Sequence, residues 1–271
     1  MGQVSIIRMH DVYFMNLEEK TLKSPVAICG LPGIANVGRV TARTLVEVLD
    51  ARHVMDFYST DFPPRVIVRK GIARIPKSTM HLYESAPDEP HDILIITGDF
   101  QPATGPGVYD YAEYVAGFLS TAGVRQLFSV AAYEQNYQDF FGHFPSPPRI
   151  YVSASSEQLL SMLTEIPNST VTEEGFIVGA NGVVPSWAST RYDIESATLL
   201  GETLGIIKSD YRAAKRVLES VALLTGLKAR FDIINAEVDK VVEFIEWAMN
   251  EMTSKQSDTS TQENPSDSYI G

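Results

Sequence analysis

The chain has 271 residues, 44% of them hydrophobic and 21% charged, with a formal net charge of −12. This is enough apolar content to bury a core in one large or two small domains. The acidic balance argues against nonspecific binding to nucleic acid or to an anionic membrane, and a lone cysteine, Cys29, allows neither an internal disulfide nor a cysteine zinc site.

The opening "MGQVSIIRMHDVYF" has no basic region followed by a long apolar core, so it reads as no signal peptide. No stretch reaches the roughly 18–20 apolar residues that span a bilayer; the expectation is a cytoplasmic protein. "PVAIC" (25–29) predicts a strand, and a helix follows from about Ile34 to Leu49, with Val37, Thr41, Leu45 and Val48 on one face. "VMDFYS" (54–59) predicts a second strand. "RVIV" (65–68) and "IARI" (72–75) predict a hairpin with Gly71 in the turn, and "MHLYES" (80–85) is expected to extend that small sheet.

"HDILIITGD" (91–99) is nearly continuous in apolar residues, as suits a central strand covered on both faces. A helix is predicted after Gly107, from Val108 to Gly123, a second central strand over 125–133, and a helix over Glu157–Ile166 behind the capping residue Ser156. The stretches 176–190 and 196–202 read as strands closed by glycine loops. Helices are predicted over Tyr211–Leu224 and Ile234–Met252, the second with Ile234, Val238, Val241, Ile245, Ala248 and Met252 at near-heptad spacing. From Thr253 to Gly271 the chain is rich in Ser, Thr, Gln and Asp and has no apolar period before its last three residues, which predicts a disordered tail after a single domain of residues 1–252. The β-α-β alternation gives an α/β class: a central, mostly parallel mixed sheet flanked by helices, with the 60–85 region as an antiparallel insertion.

Several constellations bear on function. "GLPGIANVG" joins a strand to a helix, where backbone N–H groups are able to bind an anion. It is neither a dinucleotide fingerprint nor a Walker loop. The competing reading gives Gly30 and Gly33 to a tight turn, Gly38 to close helix packing and Asn36 to a cap or local turn. Cys29 is either a thiol activated at a helix entrance or a packed core residue. The histidines His10, His53, His81, His91 and His143 show no metal-ligand spacing. Asp99 and Glu202 each follow a strand and a glycine; carboxylates there do acid–base work or accept hydrogen bonds from loop N–H groups. Tyr137, Phe140, Phe141 and Phe144 crowd one loop, where they either cover their own core or form a contact surface.

Together "GLPGIANVGRVTARTLVEVL", "DILIITGDFQP", "GFIVGANGVVPSWASTRYDIESATLLGETLG" and "SDYRAAKRVLESVALLTGL" resemble the proteasome assembly chaperone 2 family, especially its archaeal ATP-independent members. The resemblance covers about residues 10–245. Its motif loops fall on Gly30, Pro32, Gly33, Asn36, Gly38, Asn181, Gly182 and Glu202. It implies a fold similar to nucleoside phosphorylases used without enzyme chemistry or cofactor, a homo-oligomer, and a role in assembling or binding the 20S proteasome. It also implies a C-terminal tail ending in hydrophobic–Tyr–any residue, which docks between neighbouring α-subunits of the proteasome ring. Here Tyr269 stands third from the end, followed by Ile270 and Gly271, so docking requires a shifted register with Gly271 supplying the carboxylate. Several tails on one oligomer would raise avidity. The rival reading is a phosphorylase-like or hydrolase enzyme with a site near Gly33, Asp99 and Glu202.

Overall fold

The computed structural model describes residues 9–15, 17 and 20–260. In chain order its elements are β1 (Met9–Tyr13), β2 (Val26–Cys29), α1 (Val37–Val48), β3 (Arg52–Ser59), β4 (Ile67–Arg69), β5 (Ile72–Arg74), β6 (Ser78–Tyr83), β7 (Ile93–Gly98) and α2 (Gly105–Thr121). They continue as β8 (Gln126–Glu134), α3 (Tyr137–His143), β9 (Ile150–Ala154), α4 (Glu157–Thr164), β10 (Ser169–Val171), α5 (Ala180–Tyr192), β11 (Glu195–Thr203), α6 (Tyr211–Thr225) and α7 (Asn235–Ser260).

Nine strands form one mixed sheet in the order β1-β3-β6-β7-β2-β8-β11-β9-β10. Its centre, β7-β2-β8-β11, is parallel throughout. Antiparallel pairings flank it through β6 on one side and β9 on the other. The parallel strands are buried on both faces, and their side chains divide between two cores by alternation. Ile28, Ile95 and Leu199 enter the core beneath α1 and α6; Ala27, Cys29, Leu94 and Ile96 enter the core beneath α2 and α5.

The hairpin over 65–75 forms as expected, as the separate two-stranded sheet β4-β5. Residues 80–85 do not extend it: β6 lies in the main sheet between β3 and β7, because its buried positions Ser78, Met80 and Leu82 alternate into the core. Stretch 176–190 is also corrected. Residues 180–192 are the helix α5, whose Ala180, Val184 and Ala188 recur every four residues and are buried. Pro185 inside this helix has no N–H for the carbonyl of Asn181; the Ser129 hydroxyl donates to that carbonyl instead, at 2.6 Å. Helix α7 runs beyond Met252 to Ser260, so the first part of the expected tail is helical. The rest of that tail lies outside the described residues.

Candidate functional site

Beyond the carboxyl end of β2 the chain crosses residues 30–36 into α1. A Cβ on Gly30 would stand 2.2 Å from the carbonyl oxygen of Gly38, and one on Gly38 would stand 2.3 Å from that of Val130. The start of α1 therefore touches β8 backbone to backbone, which only glycine permits. Gly33 is different. Its φ of −167° is extended backbone open to any residue, and a Cβ there would meet nothing closer than the Asn181 amide at 3.6 Å. The turn is made instead by Ala35 and Asn36, with φ of 46° and 50°, a left-handed pair that costs a non-glycine residue energy. Asn36 makes no cap to α1. Its Nδ2 donates to the carbonyl of Lys208 at 3.0 Å, and the N–H of Asp210 donates to the carbonyl of Ala35 at 2.8 Å, so the loop before α6 holds the strained pair in place.

The other motif loops close on the same spot. The N–H of Leu31 donates to Asn181 Oδ1 at 3.1 Å, and Asn181 Nδ2 donates to the carbonyl of Leu31 at 3.3 Å. Gln101 donates through Nε2 to the carbonyl of Pro32 at 2.5 Å and accepts the Ala180 N–H at 2.6 Å. Gly182 lies under the Ile177 carbonyl, which a Cβ would approach to 2.3 Å. These side-chain amides bind the loops to one another, and the Leu31 N–H is spent on Asn181 rather than held open for an anion. What the cluster presents outward is apolar: Ile34 is exposed, and just before α5 Phe176 is 98% and Val178 84% exposed. The sequence predicts a strand at the start of 176–190; the chain there is instead irregular, and its place in solvent follows from the fold rather than from composition.

Asp99 and Glu202 stand at the carboxyl ends of β7 and β11, with β2 and β8 between them. Three strand spacings put them about 14 Å apart, too far to act on one bond as a pair. Each has its own arginine. Asp99, 5% exposed, takes a bidentate pair from Arg74 at 2.5 and 2.9 Å and the Lys77 N–H at 3.1 Å. Burial pushes its carboxyl up, but the bonds from Arg74 and Lys77 outweigh burial and leave it below the usual carboxylate range. Glu202, 1% exposed, takes the Arg149 side chain at 2.5 and 3.0 Å and the Arg149 N–H at 3.1 Å. Both carboxylates thus anchor loops at the ends of their strands.

The aromatic loop turns into α3, capped by Asn136. Phe140 is a core residue rather than a contact residue: it is buried beneath Arg212, whose guanidinium lies 4.8 Å from its ring centre. Phe141 and Phe144 pack against that core from the side, and Tyr137 remains exposed. Cys29 is fully buried in β2, and burial pushes its thiol up to about 12, which leaves it protonated and inert. Among the described residues no three His, Cys, Asp or Glu side chains are placed to hold a metal ion, and no helix is long and apolar enough to cross a membrane. A groove of about 360 Å³, lined by Ser153, Thr172, Ser186 and Ser196 among others, opens near the amino end of β11, at the other end of that strand from Glu202.

The family model of the PAC2 family matches residues 27–247, and the chain belongs to that family. It is 28% identical over 225 residues to the uncharacterized protein MJ1210 of Methanocaldococcus jannaschii, covering 83% of each chain. Among solved structures it is similar to Pyrococcus furiosus PbaB, described as an archaeal proteasome activator. That match has 26% identity and a TM-score of 0.79, over 89% of this chain and 99% of PbaB. Pyrococcus furiosus PbaA, described as an archaeal homolog of proteasome-assembly chaperone, shares the fold at 21% identity and a TM-score of 0.69, over 94% of this chain and 98% of PbaA.

Proposed function

We propose that this PAC2-family chain is a proteasome assembly chaperone or proteasome-binding adaptor that works by protein–protein contact, without nucleotide. The observation that carries the reading is its similarity, over nearly its whole length, to the archaeal proteasome activator PbaB. The site supports the same reading. Its motif loops are tied to one another by the amides of Asn181 and Gln101, while Phe176 and Val178 stand in solvent where a partner surface would cover them. The enzyme alternative gains no support from Asp99 and Glu202, each committed to its own arginine.

In this reading residues 1–252 act as a single cytoplasmic body that assembles into a homo-oligomer. Its partners are the α-subunits of the 20S proteasome. The contact residues are Tyr269, Ile270 and Gly271 at the C-terminus, with Tyr137 and the Phe176–Val178 loop on the body. The motif residues Gly30, Pro32, Gly33, Asn36, Gly38, Asn181, Gly182 and Glu202 shape the body that presents them. The test is a pull-down with proteasome α-subunits, comparing the full chain with one truncated after Asp267, with and without ATP. Retention of the full chain in both nucleotide conditions and its loss on truncation is the expected result. Equal retention of both chains would remove the C-terminal residues from the mechanism, and no retention of either would overturn the proteasome reading.

A further inference from the structure

Although the chain as a whole is acidic, residues 63–77 contain five Lys or Arg and no Asp or Glu. This segment carries β4 and β5 and lies beside α1. Paired residues of the hairpin share a face, so Arg69 and Arg74 stand on the same side, opposite Val68 and Ala73. From α1 come Arg39 and Arg43, one turn apart on one face. A crevice of about 240 Å³ lies between these elements, lined by Arg43, Arg74, Lys77, Thr79, His81 and Asp99 among others. A second, of about 360 Å³, adjoins it across Arg43 and is lined by Arg39, Glu47, Ser209 and Tyr211 among others.

The positive charge here exceeds what the carboxylates neutralise. Asp99 spends its oxygens on Arg74 and on the Lys77 N–H, and Asp56 takes the Lys77 ammonium. Arg39 and Arg43 stand 3.8 and 4.0 Å from Asp99 Oδ1, beyond hydrogen-bond distance. The Nε of Arg39 is buried with no hydrogen-bond partner, an arrangement that costs energy unless something accepts its proton. Arg39 and Arg43 also repel one another, and Arg69 and Arg74 bear on both. Like charges one helical turn apart are destabilising, and the guanidinium groups of Arg39 and Arg43, which line adjoining crevices, offer the paired N–H donors that a tetrahedral oxyanion accepts.

We propose that the two crevices that meet at Arg43, between α1 and the β4–β5 hairpin, are a binding site for a phosphate-class dianion, held by Arg39 and Arg43 with the Asp99–Arg74 pair as its fixed floor and the charge of Arg69 added from the hairpin. It makes no use of the Leu31 N–H, which belongs to Asn181, and it is independent of the proteasome reading. A dianion matches the excess of guanidinium charge better than a single carboxylate does.

The test is titration of the intact protein, at constant ionic strength set with chloride, with inorganic phosphate and separately with phenyl phosphate. The readout is the NMR resonances of the arginine Nε–Hε groups. The expected result is saturable movement of the Arg39 and Arg43 signals. Saturation by both ligands assigns the site to the free dianion and its esters, and saturation by phenyl phosphate alone assigns it to esters. The double variant Arg39→Gln/Arg43→Gln is expected to bind at least about tenfold more weakly. Arg69→Gln, on the exposed hairpin where folding is not at stake, is expected to weaken binding severalfold. Lys228→Gln, an exposed ion-pair residue near the opposite end of β7, is expected to leave it unchanged. Failure of both ligands to saturate, or unchanged affinity in both the Arg39/Arg43 and the Arg69 variants, would overturn the site.

Discussion

The carboxamide of Asn181 accepts the N–H of Leu31 and donates to its carbonyl, at 3.1 and 3.3 Å, so one side chain gives the second residue after β2 the two bonds that a neighbouring strand would give. The pair is buried and joins segments 150 residues apart. Removing the amide leaves a buried donor and acceptor unpaired. Asn181→Ala is expected to cost about 2–4 kcal/mol, read as a lower urea midpoint with unchanged slope. A midpoint equal to the parent's would mean that water replaces the amide.

Gly38 and Gly105 both lie in helices but differ in surroundings. A Cβ at Gly38 would press on the Val130 carbonyl, whereas one at Gly105 would meet nothing within 4 Å. Gly38→Ala is expected to destabilise by about 3 kcal/mol through forced displacement of α1 from β8. Gly105→Ala, whose added methyl has only the ring of the following Pro106 to meet, is expected to change stability by less than about 1 kcal/mol. Thermal melts of the two variants, measured side by side, check the contrast.

Burial lowers the His81 imidazole to about 4, helped by His53 stacked on it at 5.0 Å and by Lys77, and opposed by the nearby Ala51 backbone and the charge of Asp56. The unfolded chain takes up this proton near pH 6.5 and the folded chain only near 4. Between those values the unfolded state binds more protons, so stability falls as pH drops from about 6.5 toward about 4. Asp99, held below its ordinary range, adds a loss only at lower pH. Denaturant midpoints across this range should slope in the parent and flatten in His81→Gln. An unchanged slope would place the proton elsewhere.

Cys29 lies on the central strand with no exposure, so a thiol reagent should label it only when the chain unfolds. The expected result is a labelling rate in native buffer orders of magnitude below that in guanidinium. Rapid native labelling would show that β2 opens locally.

Phe176 and Val178 are almost wholly in solvent and bear no part of the core. Phe176→Ser/Val178→Ser is expected to change stability by less than about 0.5 kcal/mol. The same variant should lower retention on proteasome α-subunits. Intact retention would remove this loop from the contact surface.

Much of the scaffold was legible because it follows from local pattern. The apolar run ending at Cys29 reads as a strand, those ending at Gly98 and over 125–133 as central strands, and all three lie in the parallel centre of the sheet. The α1 periodicity, the hairpin around Gly71 and the cap at Ser156 are likewise short-range chemistry. Patterns with two physical meanings misled. "GANGVVPSW" carries glycine and proline, which break isolated helices, yet α5 forms because Ser129 satisfies the carbonyl that Pro185 cannot. Phe140 belongs to the core because Arg212 comes to lie across it. Composition and periodicity determined the α/β class, the central strands and most helices, since burial against water and backbone hydrogen bonding act on neighbours in the chain. Only the tertiary structure decided what Asn181, Asp99, Glu202 and the arginines of α1 are for. Their partners come from residues far away in sequence, and a side chain's chemistry is set by whatever the fold brings within hydrogen-bond reach.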